Sequence, residues 1–231
     1  MNRRTFIILL TFLSFTLLSF AQPKREVRAV WLTTIGGLDW PHCYSQHNSS
    51  MQRQKQELTN ILDKLQKAGI NTVLLQTRVR GTMIYPSEYE PWDGCLSGFP
   101  GKSPGYDPLE FAINECHKRG MEIHAWINPY RAKHGSTSMS QVSKNSVVVK
   151  QPKLCFSYDN LVLLNPGLQE SADYVCKVAA DIVSRYDVDG FHIDDYFYPY
   201  PVAGKQIPDQ ALFQQNSHGY WNIGDWRRDN V

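Results

Sequence analysis

The sequence predicts an α/β fold built on a parallel sheet, and three observations carry this prediction. Segments of strand composition alternate with segments of helical periodicity along the chain. Long connections follow the strands, whereas short ones follow the helices. The composition, with 42% hydrophobic and 20% charged residues among 231, is that of an ordinary globular protein. One domain is the expectation at this length.

The N-terminus has the pattern of a secretory signal peptide. Arg3 and Arg4 precede an apolar run at residues 6–20, and small residues lead up to Ala21. This run is shorter than the ~20 residues that a membrane-spanning helix needs. We therefore predict cleavage near Ala21, a mature chain over residues 22–231, and a secreted or periplasmic location without further membrane attachment.

Four strand segments and three helices are predicted in alternation. The strands are expected at residues 26–33, 71–78, 122–128 and 188–194. The helices are expected at residues 51–68, 107–120 and 172–186, with Asp107 as an N-terminal cap. Loops are expected at residues 81–107 and from 129 to about 160, followed by a short apolar stretch at 161–164. At the end of the chain, Asp225 is expected to cap a first helical turn over residues 226–231.

The loop lengths favour a barrel over an open doubly wound sheet. No glycine-rich phosphate-binding motif follows the first strand, which disfavours the common nucleotide-binding sheets. Long polar and aromatic loops after strands are typical of a (β/α) barrel, whose active site lies at the carboxyl ends of the strands. Such a barrel has eight units, and only about four are predicted here. Residues 22–231 are therefore expected to be the N-terminal portion of a barrel, truncated at its C-terminus.

Charge and cysteine content limit the function classes. The two arginines of the signal segment account for the formal net charge of +2, so the mature chain is neutral and no nucleic-acid partner is predicted. The five cysteines have no zinc-site or CxxC spacing. Cys116 and Cys176 are expected to be buried helix thiols, and a disulfide between Cys43 and Cys95 is left open. The sequence does not specify an oligomeric state.

The candidate site residues follow the predicted strands, where they would converge at one end of a barrel. They are Asp39, Trp40, Arg78, Trp126, Asn128, Tyr130, His192, Asp194, Asp195 and Tyr196. Acids, amides, cationic donors and aromatic rings together suit a neutral polyhydroxylated ligand such as a sugar. Each also has a structural alternative: Asp39 as a turn cap, Arg78 as the partner of a nearby acid, and Trp126 as part of the core.

The segment from Asp189 to Tyr196 is the most specific of these. Strand alternation places His192 and Asp194 on one face. Asp194 is the candidate nucleophile or charge stabiliser at an anomeric carbon, with the other residues binding or orienting the sugar. Glycoside hydrolysis uses two carboxyl groups about 5–9.5 Å apart on either side of one bond, so the adjacent Asp194 and Asp195 are not expected to be that pair.

Long segments of the chain resemble the glycosyl-hydrolase-like 10 family, whose members are extracytoplasmic bacterial proteins. The resemblance is carried by REVRAVWLTT, the DWP at residues 39–41, NTVLLQTRVRG, YDPLEFAINECHKRGMEIHAWINPYR and DGFHIDDYFYP, and it extends from residue 26 to about 201. It implies a (β/α)8 catalytic domain that cleaves O-glycosidic bonds of a bacterial glycan. Peptidoglycan glycan strands are the leading substrate class that it implies.

The GFHID segment is also similar to the fourth-strand motif of amylase-like enzymes, in which the final Asp is the nucleophile. Asn128 matches their third-strand Asn, whereas His192 stands where they usually carry Arg. Their general acid is a Glu after the fifth strand. The resemblance therefore implies that the acid lies beyond Val231 and that residues 22–231 alone are inactive.

Two other functions stay open. A carbohydrate-binding protein without turnover would use the same aromatic and amide groups. A metal-dependent hydrolase would use His124, His192 and Asp194, although no HxH or HExxH motif supports it. No metal and no other cofactor is predicted.

Overall fold

The computed structural model describes residues 26–134, 137–194 and 197–231. The predicted signal segment, together with Asp195 and Tyr196, lies outside these ranges. The strands, in chain order, are β1 (Ala29–Leu32), β2 (Thr72–Arg78), β3 (Glu122–Ile127), β4 (Arg131–His134), β5 (Cys155–Tyr158), β6 (Leu161–Leu164) and β7 (Gly190–Ile193). The helices are α1 (Asn48–Lys67), α2 (Gly94–Ser97), α3 (Pro108–His117), α4 (Val147–Lys150), α5 (Gln169–Arg185), α6 (Gln210–Gln215) and α7 (Ile223–Asp229). Single 3₁₀ turns lie at Ile35–Gly37, Met139–Gln141 and Pro152–Leu154.

Four strands form one parallel sheet in the order β1-β2-β3-β7. Strands that are neighbours in this sheet are also consecutive in the chain, except that β4, β5 and β6 come between β3 and β7. Those three short strands form a separate sheet. A barrel is built in this way, whereas the strand order of a doubly wound sheet reverses at a switch point. The predicted α/β fold with a parallel sheet is confirmed.

The three predicted helices are confirmed as α1, α3 and α5. Asp107 caps α3 as predicted, since its Oδ1 accepts hydrogen bonds from the backbone N–H groups of Leu109 at 3.0 Å and Glu110 at 3.1 Å. The last helix differs from the prediction because it begins at Ile223. Asn222 is its cap and accepts the backbone N–H of Asp225 at 2.9 Å, so Asp225 lies inside the first turn.

A second, antiparallel sheet in the order β4-β6-β5 is inserted between β3 and α5. The sequence predicted a loop here with a short apolar stretch, and that prediction was wrong. The two residues between β5 and β6 are Asp159 and Asn160, and Asp159 adopts a left-handed φ of 50°. Asp and Asn tolerate this conformation in tight hairpins, so the turn signal was present in the sequence.

The core lies between one face of the parallel sheet and helices α1, α3 and α5. The sheet contributes Val73, Leu75, Ile123, Ala125 and Ile127. The helices contribute Leu58, Leu62, Leu109, Ile113, Val178 and Ile182. Because side chains alternate along a strand, the intervening residues of the sheet lie on its opposite face.

Gly190 shows how tightly that opposite face is packed. It pairs with His124 of the neighbouring strand. A Cβ at residue 190 would lie 2.6 Å from ring atoms of His124. The absence of a side chain at this position therefore makes room for the imidazole.

The cysteines are all free thiols. Cys43 and Cys95 are therefore not bridged, which answers the question that the sequence left open. Cys116 is buried as predicted, and burial raises its pKa to about 12. Cys176 is exposed, contrary to the prediction, because it lies on the outer side of α5. Within the described ranges, no helix combines the length and apolarity needed to cross a bilayer.

Asp189 joins three elements at the start of β7. Its Oδ2 accepts hydrogen bonds from the backbone N–H of Ile123 and from Nε2 of His117, both at 2.8 Å. Partial desolvation by itself raises the pKa of the Asp189 carboxyl. The Ile123 N–H and the His117 imidazole lower it, and the pKa lies below its usual value overall.

We expect this carboxyl to make the protein less stable in acid. A lowered folded-state pKa stabilises the fold above the unfolded value of about 3.9, and the stabilisation is lost as the pH falls through the folded-state pKa. Urea unfolding of wild type and Asp189→Asn at several pH values between about 6 and 3 checks this, with Asp187→Asn as the control. The variant should lose less stability than wild type over that range, and equal losses would contradict the prediction.

Candidate functional site

Asp194 follows β7 at the carboxyl edge of the parallel sheet, where the site is centred. Its Oδ1 accepts a hydrogen bond from Nδ2 of Asn128 at 2.9 Å, and its Oδ2 accepts one from Nε1 of Trp126 at 3.1 Å. The Asp194 backbone N–H donates to the carbonyl of Ile127 at 3.3 Å. Both carboxylate oxygens are therefore held by groups of the neighbouring strand, which gives this half-buried side chain one defined orientation.

An aromatic cluster lies beside this carboxylate on the open face of the sheet. The Trp31 ring meets Trp126 edge-to-face with centroids 4.6 Å apart and His192 edge-to-face at 4.4 Å. Trp31 is 46% exposed, whereas Trp126 is 8% exposed. The cluster lies on the face of the sheet that points away from the helices, which is the interior side in a barrel, and its Trp126 member holds the Asp194 carboxylate.

Arg78 is a structural residue, which corrects the prediction that it contacts a sugar. Its side chain is 1% exposed and forms a bidentate ion pair with Glu90, with Nε–Oε2 at 2.8 Å and Nη2–Oε1 at 2.6 Å. Its Nη1 donates to the backbone carbonyls of Asn128 and, at 3.2 Å, Arg131. Burial by itself lowers the pKa of Arg78, but the Glu90 carboxylate raises it, so the guanidinium stays charged.

Arg78 connects the buried ion pair to the site through Asn128. The Asn128 side chain is buried, and its Oδ1 accepts the backbone N–H of Arg131 at 2.8 Å. The Asn128 Nδ2 donates to the Asp194 carboxylate. Glu90 also accepts the hydroxyl of Tyr174 from α5 at 3.2 Å. A continuous series of buried polar contacts therefore runs from α5 to the Asp194 carboxylate.

The two candidates after β1 have structural roles. Trp40 is wholly buried, and its indole Nε1 donates to the backbone carbonyl of Gln54 in α1 at 3.0 Å. This burial excludes contact with a ligand and corrects the prediction. Asp39 caps the turn after β1. Its Oδ2 accepts hydrogen bonds from Thr33, namely from the backbone N–H at 2.8 Å and from the side-chain hydroxyl at 2.6 Å. The structural alternative for Asp39 is therefore the one observed.

Tyr130 lies in the interior of the fold. It is buried, packs edge-to-face with Phe197 at 6.1 Å, and its pKa is raised by burial. Its prediction as a sugar contact is therefore corrected as well. Asp195 and Tyr196 lie outside the described residues, and their predicted roles stay predictions.

His124, His192 and Asp194, which a metal-dependent hydrolase would use as ligands, do not form a cluster. His192 packs on Trp31, His124 Nε2 lies 3.4 Å from Glu122 Oε2, and Asp194 contacts Trp126 and Asn128. In the part of the chain that the structure describes, no three His, Cys, Asp or Glu side chains cluster so as to hold a metal ion.

Several residues that shape the site were absent from the sequence-based candidates. They are Trp31, Glu90 and Tyr174. Gln76 connects β2 to β1, because its Oε1 accepts the backbone N–H groups of Thr34 at 3.0 Å and Ile35 at 2.9 Å. Alternation along the first strand could have placed Trp31 on the open face. No sequence signal identifies Glu90, which lies in an irregular loop.

The family model described as glycosyl hydrolase-like 10 matches residues 26–231. The glycosyl hydrolase YngK of Bacillus subtilis (strain 168) is 43% identical over 228 residues, which are 98% of this chain and 43% of that protein. The glycosyl hydrolase DigH of Escherichia coli (strain K12) is 37% identical over 223 residues, which are 91% of this chain and 50% of that protein. The chain thus spans about half the length of the curated relatives it matches.

Among solved structures, α-L-fucosidase isoenzyme 2 from Paenibacillus thiaminolyticus superposes with a TM-score of 0.53. The match covers 89% of this chain and 28% of that chain at 15% sequence identity. At this identity the likeness concerns the fold alone. It agrees with a parallel sheet that forms part of a barrel of the type found in glycosidases.

Proposed function

Because the chain belongs to the glycosyl hydrolase-like 10 family of carbohydrate-active proteins, we propose that it contributes the nucleophile side of a glycoside hydrolase site. The observation that carries this proposal is the Asp194 carboxylate at the carboxyl edge of the parallel sheet, held in one orientation by Trp126 and Asn128. A sugar bound at this edge would present its anomeric carbon to that carboxylate.

In this proposal, Asp194 stabilises or attacks the oxocarbenium-like centre that forms when the glycosidic bond breaks. Its two hydrogen bonds from Trp126 and Asn128 keep the carboxylate in one orientation, which favours attack from a defined direction. The second carboxyl group, which protonates the leaving oxygen, is proposed to come from the part of the relatives' length that this chain does not span.

The proposed substrate is the glycan strand of peptidoglycan, and the proposed location is extracytoplasmic. The pattern of residues 1–21 supports the location, and the family resemblance supports the substrate class. The location and the substrate class are both proposed from the sequence, and each has its own test. The location is checked by fractionation of cells that express the complete gene. The substrate class is checked by comparing turnover of peptidoglycan glycan strands with turnover of other glycans.

Asp194→Asn is expected to lower glycan turnover at least about 10³-fold, the scale on which loss of a charge-stabilising or covalent group acts. Asparagine keeps the size of the side chain, so glycan binding should change little. Turnover is measured with protein that spans the length of the curated relatives, and binding is measured with this chain. Asp187→Asn, an exposed acid in the same segment, is the matched control and should keep wild-type turnover. Wild-type turnover in Asp194→Asn would remove Asp194 from the proposed role.

A carbohydrate-binding protein without turnover is the second candidate. The aromatic rings and the Asn128 amide that surround Asp194 would serve sugar binding without turnover equally well. Glycan binding without product release by wild-type protein of the relatives' length would establish this second function in place of the first.

A further inference from the structure

A separate cavity of about 270 Å³ opens at the same end of the sheet as Asp194. It lies among the connections that follow β1, β2 and β3, and its lining includes Tyr44, Arg80, Asp93, Lys133, Gln141 and Ser143. Ligand sites in proteins have volumes of about 300–1,000 Å³. A cavity just below that range suits one sugar ring better than a longer oligosaccharide.

The charge of the cavity is dominated by Arg80. This half-buried guanidinium makes no hydrogen bond or ion pair with any residue in the ranges that the structure describes. Among the described lining residues, the only carboxylate is that of Asp93, and it is already engaged, since it accepts the Thr82 hydroxyl at 2.6 Å and the Cys95 backbone N–H at 2.8 Å. Lys133 adds a second positive charge, so the side chains of Arg80, Lys133 and Asp93 in the described lining sum to one net positive charge.

The remaining lining suits a sugar. Tyr44 is 57% exposed, and its ring lies directly over Gly98, where a Cβ would come within 3.1 Å of it. The backbone thus supports one face of the ring. Aromatic side chains in this position pack against the apolar faces of sugars. The amide of Gln141 and the hydroxyl of Ser143 supply polar groups of the kind that bind sugar hydroxyls.

We propose that this cavity is a subsite for a sugar residue that bears a carboxylate, with Arg80 as the group that binds the acid. The proposal rests on the proposed action on a glycan and adds the chemical character of one residue of that glycan. A guanidinium presents donors in a fork that matches a carboxylate bidentately, which a neutral sugar cannot use. The carboxylate could belong to a uronic acid or to a lactyl ether, and both have the same chemistry toward Arg80.

The test is an NMR titration of the folded chain with D-glucuronic acid, N-acetylmuramic acid and neutral N-acetylglucosamine. At least one acid should bind about tenfold tighter than the neutral sugar, as expected for a charge-assisted hydrogen bond. In Arg80→Gln that preference should disappear, and in Arg80→Lys it should be partly kept because the charge remains without the fork. Which acid binds identifies the source of the carboxylate.

Arg28→Gln is the matched control, because it removes the same charge before β1, at the opposite end of the sheet. It should leave the preference unchanged. Equal affinity for acids and neutral sugar in wild type, or an acid preference that survives in Arg80→Gln, would overturn the subsite. The outcome is independent of turnover: an acid preference carried by Arg80 alongside wild-type turnover in Asp194→Asn would keep the subsite and overturn the hydrolytic role of Asp194.

Discussion

Replacing Glu90 with Gln is expected to lower the free energy of unfolding by about 3–5 kcal/mol, the cost of breaking a buried ion pair at one partner. Arg78 and Glu90 have almost no exposure to solvent, and Glu90 receives two of the hydrogen bonds that the Arg78 side chain donates. The variant would leave a buried guanidinium without its counter-charge. Urea unfolding at neutral pH measures the loss.

Glu26→Gln is the control for this prediction. It breaks the Arg28–Glu26 ion pair, whose side chains are 53% and 68% exposed, and pairs of that kind contribute little to stability. We expect its unfolding curve to overlay that of wild type. A loss below about 1 kcal/mol in Glu90→Gln, comparable to a surface pair, would show that the Arg78 charge does not depend on Glu90.

Trp40→Ala should also cost about 3–5 kcal/mol, the range for truncating a large buried aromatic side chain. Trp40 has no exposed surface, and its removal leaves a cavity between the turn after β1 and α1. Trp31→Ala is the matched comparison, because it removes the same side chain from a position that is nearly half exposed.

The two tryptophan variants of this chain should therefore rank by burial. Trp40→Ala is expected to shift the urea midpoint strongly. Trp31→Ala is expected to shift it less. The reverse ranking of the two stability losses would contradict the assignment of Trp40 to the core and of Trp31 to the open face.

Much of the fold could be predicted because its signals are local. Strand composition predicted the four strands of the parallel sheet, helical spacing predicted α1, α3 and α5, and Asp107 predicted the start of α3. The β4-β6-β5 sheet was missed because its strands have four residues each, too few for a clear periodicity. Trp40 was misplaced because its position after a strand indicates the mouth of a barrel, whereas its burial depends on how the chain turns back onto α1.

The candidate site was predictable to a similar extent. The convergence of strand ends at one mouth predicted that Trp126, Asn128 and Asp194 lie at the same end of the fold, and the structure places them in hydrogen-bond contact. Their catalytic and sugar-binding roles stay predictions. Glu90 could not be identified, because its pairing with Arg78 depends on a loop without periodicity that folds back over the end of β2.

The sequential order of the parallel sheet has a consequence for how the protein acquires its structure. Each of the later strands β2, β3 and β7 pairs with one that precedes it in the chain, and the three-stranded insertion is completed within a single connection. Among these four described strands, none has to be inserted between two that are already paired. Assembly can therefore proceed from the N-terminus one unit at a time, and each new unit closes a loop of modest length onto an existing edge.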